Sequence, residues 1–454
     1  MEQLRTDTIC ALSTPPGIGG LAVVRLSGPQ AIAIADACFR GKNQLLEART
    51  HTIHYGQIVR ADGSTVDHVT AAVFRAPHSY TGEDVVEITC HGGYVMYRLV
   101  IETLLEHGAR IAEAGEFTRR AFLNGKMDLM QVESVADIIH NQVVAAQELA
   151  IKQLGGSFTQ WVRTIRDDLE RVAAVVEVEL DFAHEDLEFA DRDELRRRLN
   201  AIVEDCRRFI RSYTGAEILR HGLRVGIVGF PNAGKSSLFN ALLGRQRAIV
   251  SPQPGTTRDY IEEALAIGRA LVRLYDTAGF RDSDDAIEVE GIALARSILE
   301  QCNVVLVVND LTEGQNHSDG LAASLRAEFP TIKHMLVQNK CDCVCAVPPR
   351  SENEVVLSAR TGQGISTLVG QLQQYIEEST AELDRALINE RHVAALRIIE
   401  QHLVSAIAAV DARLPGECIA LDIRTAVEEL STLIGERWTN DLLDRIFAQF
   451  CIGK

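Results

Sequence analysis

The chain has 454 residues, of which 46% are hydrophobic and 24% are charged, and its formal net charge is −17. This length predicts two or three domains, and the excess of acidic residues excludes a protein that coats nucleic acid along its whole surface. No apolar run long enough for a membrane span and no secretory leader pattern is present, so we expect a cytoplasmic protein with no membrane partner.

Residues 1–122 mix short β-like runs with loops that are rich in Gly and Pro. The apolar runs predict strands at residues 21–26, 69–74 and 84–89, and a helical pattern covers residues 94–107. This mixture predicts a small α+β domain at the N-terminus.

Residues 123–218 change to a helical pattern, in which apolar side chains recur at a spacing of three and four residues. The same pattern predicts further helices at residues 161–182 and 194–213. This part of the chain is therefore expected to be all-α.

Residues 219–379 alternate strands and helices as in a doubly wound sheet, and a helical pattern returns in residues 380–454, at 389–410 and 423–434. We predict a multidomain protein in which an α/β domain is inserted into one discontinuous α-helical domain. Such insertions are tolerated where the two chain ends of the inserted domain lie close together.

Residues 229–236 fit the P-loop pattern, in which two glycines with four residues between them precede Lys and Ser. An apolar strand comes before this loop and a helix start follows it, which is the context that the motif needs. Lys235 is expected to reach the β- and γ-phosphates of a nucleotide, and the Ser236 hydroxyl is expected to hold Mg²⁺. The nucleotide-binding candidates in this loop are Asn232, Ala233, Gly234, Lys235, Ser236 and Ser237.

Two later segments indicate that the base is guanine. The Asp342 carboxylate follows an apolar strand and can accept hydrogen bonds from both N1–H and N2–H₂ of guanine, a pair that adenine does not offer. The Ala359 N–H follows the next strand and can meet guanine O6. The chain is therefore predicted to bind GTP and GDP through Asn339, Lys340, Asp342, Ser358, Ala359 and Arg360.

Two segments between these motifs are expected to sense the γ-phosphate. Asp276 would support Mg²⁺ through water, and the Gly279 N–H would face the γ-phosphate. Thr257 is the predicted hydroxyl ligand of Mg²⁺, although a pair of adjacent threonines is also typical of a plain turn. The GTP-binding candidates here are Ser251, Thr256, Thr257, Asp276, Thr277, Ala278 and Gly279.

Motifs outside the nucleotide site carry a more specific signal. They include the run A-V-V-R-L-S-G, the run Y-T-G-E-D-V-V-E and the C-terminal F-C-I-G-K, and they lie at residues 7–9, 13–17, 22–28, 80–87, 91–93, 115–129 and 450–454. With these residues the chain resembles, over nearly its whole length, the bacterial tRNA modification GTPases called MnmE, also known as TrmE.

The resemblance implies a homodimer whose N-terminal domain dimerises and binds 5-formyl- or methylene-tetrahydrofolate. It also implies a heterotetramer or larger complex with the flavoprotein MnmG, also called GidA, which would carry FAD. Together the two proteins would add a carboxymethylaminomethyl or aminomethyl group to carbon 5 of the wobble uridine of tRNA.

The resemblance places the folate contacts at Arg25, Glu87, Lys126 and Lys454. The chemistry of these side chains suits the ligand. A pterin offers amide-like edges to a carboxylate, and the glutamate tail of folate attracts cations.

The resemblance also places the hydrolysis machinery. Phe280 stands where many switch GTPases have the Gln that orients water, and Glu288 falls at the position that supplies this function in the family. It implies a potassium-activated GTPase, whose domains meet face to face in the transition state. The residues around the K⁺ ion would be Asn232, Ser251, Gln253 and Thr256.

One segment departs from the family pattern. Residues 431–440 keep Gly435 and Glu436 but differ at several positions, so the local surface, where a partner would dock, is expected to differ from that of the family.

One rival interpretation stays open. The rival is a ribosome-assembly GTPase of the Era type, which usually joins the same nucleotide motifs to a basic RNA-binding domain. The appended parts here are an α+β domain and an acidic helical domain, which favours tRNA modification. Whether Cys451 takes part in the chemistry stays open.

Overall fold

The computed structural model describes residues 7–141, 143–181, 192–244, 262–276, 296–345, 347–381, 383, 388–448 and 450–454. The chain divides into two compact units. The first comprises Met1–Ala136, Gln153–Ala174 and Ile423–Lys454, and the second comprises Asp137–Lys152 and Val175–Asp422. The domain boundaries predicted at residues 122, 218 and 379 stay predictions.

The first unit contains a seven-stranded sheet with the strand order β3-β4-β5-β6-β2-β1-β7. Neighbouring strands are antiparallel except for β1 and β7, which run parallel. The strands are β1 (Ile9–Leu12), β2 (Leu21–Ser27), β3 (Phe39–Gly41), β4 (Thr52–Val59), β5 (Thr65–Phe74), β6 (Val85–His91) and β7 (Arg110–Ile111).

The longer helices of the described chain are α1 (Ala31–Cys38), α2 (Tyr94–Glu106), α3 (Glu116–Leu123), α4 (Leu129–His140), α5 (Val144–Leu154), α6 (Ser157–Asp181), α7 (Arg192–His221), α8 (Lys235–Leu243), α9 (Asp319–Glu328), α10 (Ile365–Thr380), α11 (Glu390–Asp411), α12 (Gly416–Leu433) and α13 (Asn440–Phe447).

The two faces of the N-terminal sheet have different roles. Ala22, Val24 and Leu26 of β2 are buried in a core that α1 and α2 share, because alternate residues of a strand point to opposite faces. The alternating residue Arg25 therefore lies on the face that these helices leave open. The sequence predicted three of these strands and α2 to within a few residues of the observed bounds.

The second unit contains a six-stranded sheet with the strand order β13-β12-β11-β8-β10-β9. Its strands are parallel except for the β9–β10 pair. The strands are β8 (Leu223–Gly229), β9 (Glu262–Ile267), β10 (Ala270–Asp276), β11 (Val304–Asp310), β12 (Lys333–Asn339) and β13 (Glu354–Val356). In such sheets ligands bind outside the carboxyl ends of the strands, which is where the predicted nucleotide motifs begin.

Helix α7 is longer than the sequence predicted. We expected an end at Tyr213, near Gly215, but the helix continues to His221. At Gly215 the backbone approaches Ser379 so closely that an added Cβ would overlap the Ser379 carbonyl. Glycine is a weak helix former, but at this position the close contact with α10 leaves no room for a side chain.

One described helix, α11, is long and apolar enough by length and composition to cross a membrane. Buried core helices pass the same test, and Leu396, Ile399 and Leu403 of α11 are fully buried within the second unit. The packing of α11 along α7 gives these side chains a protein environment.

Candidate functional site

The P-loop joins the end of β8 to the start of α8. Asn232 and Gly234 both adopt positive φ angles, 62° and 91°. At Gly234 an added Cβ would overlap the Asn339 amide, so this position requires glycine. The Lys235 ammonium donates hydrogen bonds to the carbonyls of Gly229 at 3.0 Å and Phe230 at 2.9 Å. Its charge is thus held inside the loop, where phosphate oxygens could replace the carbonyls.

Asn339 connects the P-loop to the segment that follows β13. Its side-chain Nδ2 donates to the Ala233 carbonyl at 2.9 Å, and its Oδ1 accepts from the Ala359 N–H at 2.9 Å. Asn339 is 2% exposed, so both hydrogen bonds are protected from water. The predicted phosphate loop and the predicted guanine loops are therefore brought together.

Lys340 and Asp342 complete this end of the site. Lys340 has a positive φ of 66°, and its ammonium pairs with the Asp310 carboxylate at the end of β11. A hydrogen bond from the buried Ser358 hydroxyl holds the pKa of the exposed Asp342 carboxyl below its ordinary value. Asp342 therefore carries the negative charge that pairing with guanine N–H groups requires.

Three further predicted GTP-site residues are exposed at these loops. They are Ser236 and Ser237 at the start of α8, and Arg360 after Ala359. Asp276 is the last residue of β10, but its side chain lies outside the described part of the chain. The predicted residues outside the described ranges are Ser251, Gln253, Thr256, Thr257, Thr277, Ala278, Gly279 and Glu288.

A second group of predicted residues meets on the open face of the N-terminal sheet. The antiparallel register of β2 and β6 places Arg25 opposite Glu87. The Nε and Nη2 atoms of Arg25 lie 2.9 and 2.8 Å from Glu87 Oε1. The remaining Nη1 atom is buried and has no hydrogen-bond partner among the described residues. A buried guanidinium nitrogen in this state favours an added acceptor, because an unmet donor costs about 1–3 kcal/mol.

The C-terminal tail brings Lys454 to the same place. Ile452 forms an antiparallel bridge with Ala114, and the Ser13 hydroxyl donates to the Gly453 carbonyl at 3.1 Å. Burial, together with the positive charge of Arg25, lowers the pKa of Lys454 from its ordinary value, while Glu87 opposes this change. Three side chains that are distant in sequence thus form one cluster, which we call the Arg25 cluster: Arg25, Glu87 and Lys454.

Lys126 lies on a neighbouring loop. Its ammonium donates to the Pro77 carbonyl at 3.1 Å, and its methylene stem passes close to Gly82. Pro77 and Gly82 belong to the loop between β5 and β6. Tyr80, in the middle of that loop, places its ring 5.1 Å from the Arg25 guanidinium. Lys126 therefore borders the loop that covers the Arg25 cluster, and no contact with the cluster itself is seen among the described residues.

The sequence did not single out the side chains that support this loop. Arg120 donates to both carboxylate oxygens of Glu83 at 3.2 Å, and also to Asp7 Oδ1 at 2.8 Å. The Ser27 hydroxyl donates to Glu83 Oε2 at 2.7 Å. Asp7, Glu83 and Arg120 lie in runs that carry the family resemblance, but only the structure shows that they fix the loop that carries Tyr80.

Comparisons with known proteins agree across the whole chain. A family described as the MnmE helical domain matches residues 129–451, and one described as the GTP-binding protein TrmE N-terminus matches residues 8–126. A Salinibacter ruber protein named tRNA modification GTPase MnmE is 42% identical over 99% of this chain and 100% of its own. A protein of the same name from Carboxydothermus hydrogenoformans is 40% identical over 99% of each chain.

Among solved structures, Aquifex aeolicus Era with GDP and aluminium fluoride is 28% identical over 39% of this chain and 66% of its own, with a TM-score of 0.28.

Proposed function

This chain belongs to the MnmE family of tRNA modification GTPases, and on that premise we propose that it serves to modify the wobble uridine of tRNA. The product would carry a carboxymethylaminomethyl or aminomethyl group on carbon 5. Tetrahydrofolate, as a 5-formyl or methylene derivative, would supply a one-carbon unit, and FAD would reside on the partner MnmG. The protein would act in the cytoplasm.

The observation that carries the folate part is the buried Nη1 atom of Arg25, which has no described partner. Arg25 is 14% exposed beside a carboxylate, and Lys454 adds a second cation. Glu87 can accept from the amide-like edge of a pterin, while Arg25 and Lys454 can bind carboxylate groups. The donor set therefore fits a folate, with Lys126 as a further candidate at the bordering loop.

The guanine loops support GTP binding and hydrolysis. Lys235 would exchange its carbonyl partners for phosphate oxygens, and Asp342 would select guanine. Ser236 and Thr257 would hold Mg²⁺, which neutralises phosphate charge. Glu288 would orient water, and oxygen atoms of Asn232, Ser251, Gln253 and Thr256 would hold K⁺.

The open face of the N-terminal sheet supports a homodimer. Leu21, Ile53 and Tyr55 are 68%, 73% and 69% exposed, and the register of β2, β6, β5 and β4 places them on the same face as Arg25. Exposed apolar clusters of this kind are typical of protein interfaces. The homodimer would then assemble with MnmG, as a heterotetramer or larger complex.

Mass spectrometry of tRNA nucleosides from cells that lack this protein tests the proposal. We expect the carbon 5 modification of wobble uridine to be lost, to return with the native gene, and to stay absent with Asp342→Asn. Unchanged wobble uridines, with a defect in ribosome assembly instead, would favour the Era-type rival.

A further inference from the structure

A cavity with a volume of about 740 Å³ lies within the first unit. Three turns with positive φ angles shape its rim, at Gly125, Gly156 and Gly435. The cavity lies between the end of α3, the start of α6 and the segment before α13. Its volume falls within the range of about 300–1,000 Å³ that is common for small-molecule sites.

One wall of the cavity is aromatic. The Trp438 and Phe122 rings lie 6.2 Å apart in an edge-to-face arrangement and both line the cavity. The exposed side-chain amide of Gln160 lines it too. A flat ring can stack on Trp438 while its polar edge pairs with the Gln160 amide, which offers one acceptor and two donors.

Two cations, Lys126 and Arg163, and two carboxyl groups, Asp128 and Glu436, line the cavity. Glu436 is already held by Arg166 and lies 3.7 Å from Arg163. Arg163 is 52% exposed, so its guanidinium can exchange this long ion pair for a phosphate. Lys126 provides a second cation at the same cavity.

Asp128 is the more buried of the two carboxyl groups that line the cavity. Asp128 and Gln131 exchange hydrogen bonds with each other's backbone at the start of α4, and burial raises the pKa of Asp128. The Thr159 hydroxyl is 2% exposed and faces the Asp128 carboxyl, where its hydrogen bonding opposes the effect of burial on that pKa.

We propose that this cavity, which we call the Trp438 cavity, binds an extruded uridine nucleotide of the tRNA substrate. The uracil ring stacks on Trp438, its edge pairs with Gln160, and a flanking phosphate meets Arg163. Uracil presents one N–H between two carbonyl oxygens, and a side-chain amide can pair with this edge. This inference rests on the proposed function.

The position of the cavity suits an acceptor that must meet a one-carbon donor. Lys126 lines the cavity, and its ammonium donates to Pro77 in the loop whose Tyr80 covers Arg25. Lys126 therefore connects the two places, because it lines the Trp438 cavity and contacts the loop that covers the Arg25 cluster.

Two anticodon-arm RNA hairpins test the proposal, one with uridine at the wobble position and one abasic there. We expect the native protein to bind the uridine hairpin roughly tenfold more tightly, since stacking on an aromatic side chain stabilises a base by about 1–3 kcal/mol. Gln160→Leu should weaken the uridine hairpin roughly fivefold and leave the abasic hairpin unchanged. Arg163→Gln should weaken both hairpins equally and lower the salt dependence by about one phosphate contact.

Gln147→Leu on α5 and Arg171→Gln on α6 are matched controls, since both residues are exposed and neither lines the cavity. Equal affinity of the native protein for the two hairpins would overturn the proposal, as would an equal effect of Gln160→Leu on both. Equal affinity is the result expected if a side chain of a partner protein fills the cavity. Titration of the same samples with 5-formyltetrahydrofolate separates the two claims, because folate binding without uridine discrimination overturns the cavity alone.

Discussion

In the guanine loops Lys235, Asn339 and Lys340 all donate hydrogen bonds to other groups of the protein. In the Arg25 cluster, by contrast, a guanidinium nitrogen is buried without a described partner. A ligand at the guanine loops exchanges one set of hydrogen bonds for another, so its net gain comes mainly from charge and specificity. A ligand at the Arg25 cluster satisfies a donor that otherwise costs about 1–3 kcal/mol.

The largest expected effect separates binding from turnover at the guanine site. Glu288→Ala should reduce GTP hydrolysis by roughly 100-fold or more, because water loses its proposed base, while GTP affinity changes little. Hydrolysis by the native protein should be much faster in K⁺ than in Na⁺. Turnover assays in KCl and NaCl at matched ionic strength check both points, and full activity of Glu288→Ala would remove the residue from the mechanism.

The next effect tests whether charge selects the base. Asp342→Asn should weaken GTP roughly 100-fold, since two hydrogen bonds to a carboxylate are lost, and should shift preference toward xanthine nucleotides. Fluorescent nucleotide titrations measure both affinities. Equal binding of ATP and GTP by the native protein would contradict the guanine assignment.

A stability comparison examines the difference between the two sites directly. Asn339→Ala should lower the free energy of unfolding by about 1–3 kcal/mol, because Ala233 and Ala359 lose a buried partner. Arg25→Gln should lower it by less, about 1 kcal/mol or below in the absence of ligand, because the lost ion pair with the partly exposed Glu87 is offset by removal of a buried donor that has no described partner. Urea titrations of both variants measure the two free energies of unfolding. A larger loss of stability for Arg25→Gln than for Asn339→Ala would contradict the expected order.

The smallest effect concerns pH. Because burial beside Arg25 lowers the pKa of Lys454, its ammonium should lose its proton at a lower pH than an ordinary lysine. Folate affinity should therefore fall as pH rises through this point, by roughly threefold for one partly exposed charge pair. Calorimetry across this pH range should show the step in Lys126→Gln and not in Lys454→Gln, and its persistence in Lys454→Gln would assign it to another group.

The two sites also differ in how far the sequence predicts them. The P-loop and the guanine loops follow strands at fixed spacing, so their residues could be placed from local pattern alone. Arg25, Glu87 and Lys454 meet only through strand register and a docked tail, and the sequence indicated them through family resemblance. Tyr80 and Asp310 were missed because their roles depend on neighbours that are distant in sequence.

The elements of the fold could likewise be predicted only where local sequence pattern determines them. The short apolar runs of β2 and β6 predict strands, because such a run is a local property of the sequence. The extension of α7 beyond Gly215 depends on contact with α10, which no local pattern reports. Likewise the Trp438 cavity joins three glycine turns from separate parts of the chain, including the segment that departs from the family pattern.

Calorimetric titration of 5-formyltetrahydrofolate into the full-length protein tests whether the Arg25 cluster binds folate. We expect one molecule to bind per chain, and Arg25→Ala to weaken binding by about 1.5–3 kcal/mol, the range for hydrogen bonds to charged groups. The variant Arg60→Ala, at a partly exposed arginine of the same unit, should bind like the native protein. Absence of binding by the native protein, or native affinity in Arg25→Ala, would contradict the assignment of the Arg25 cluster as the folate site.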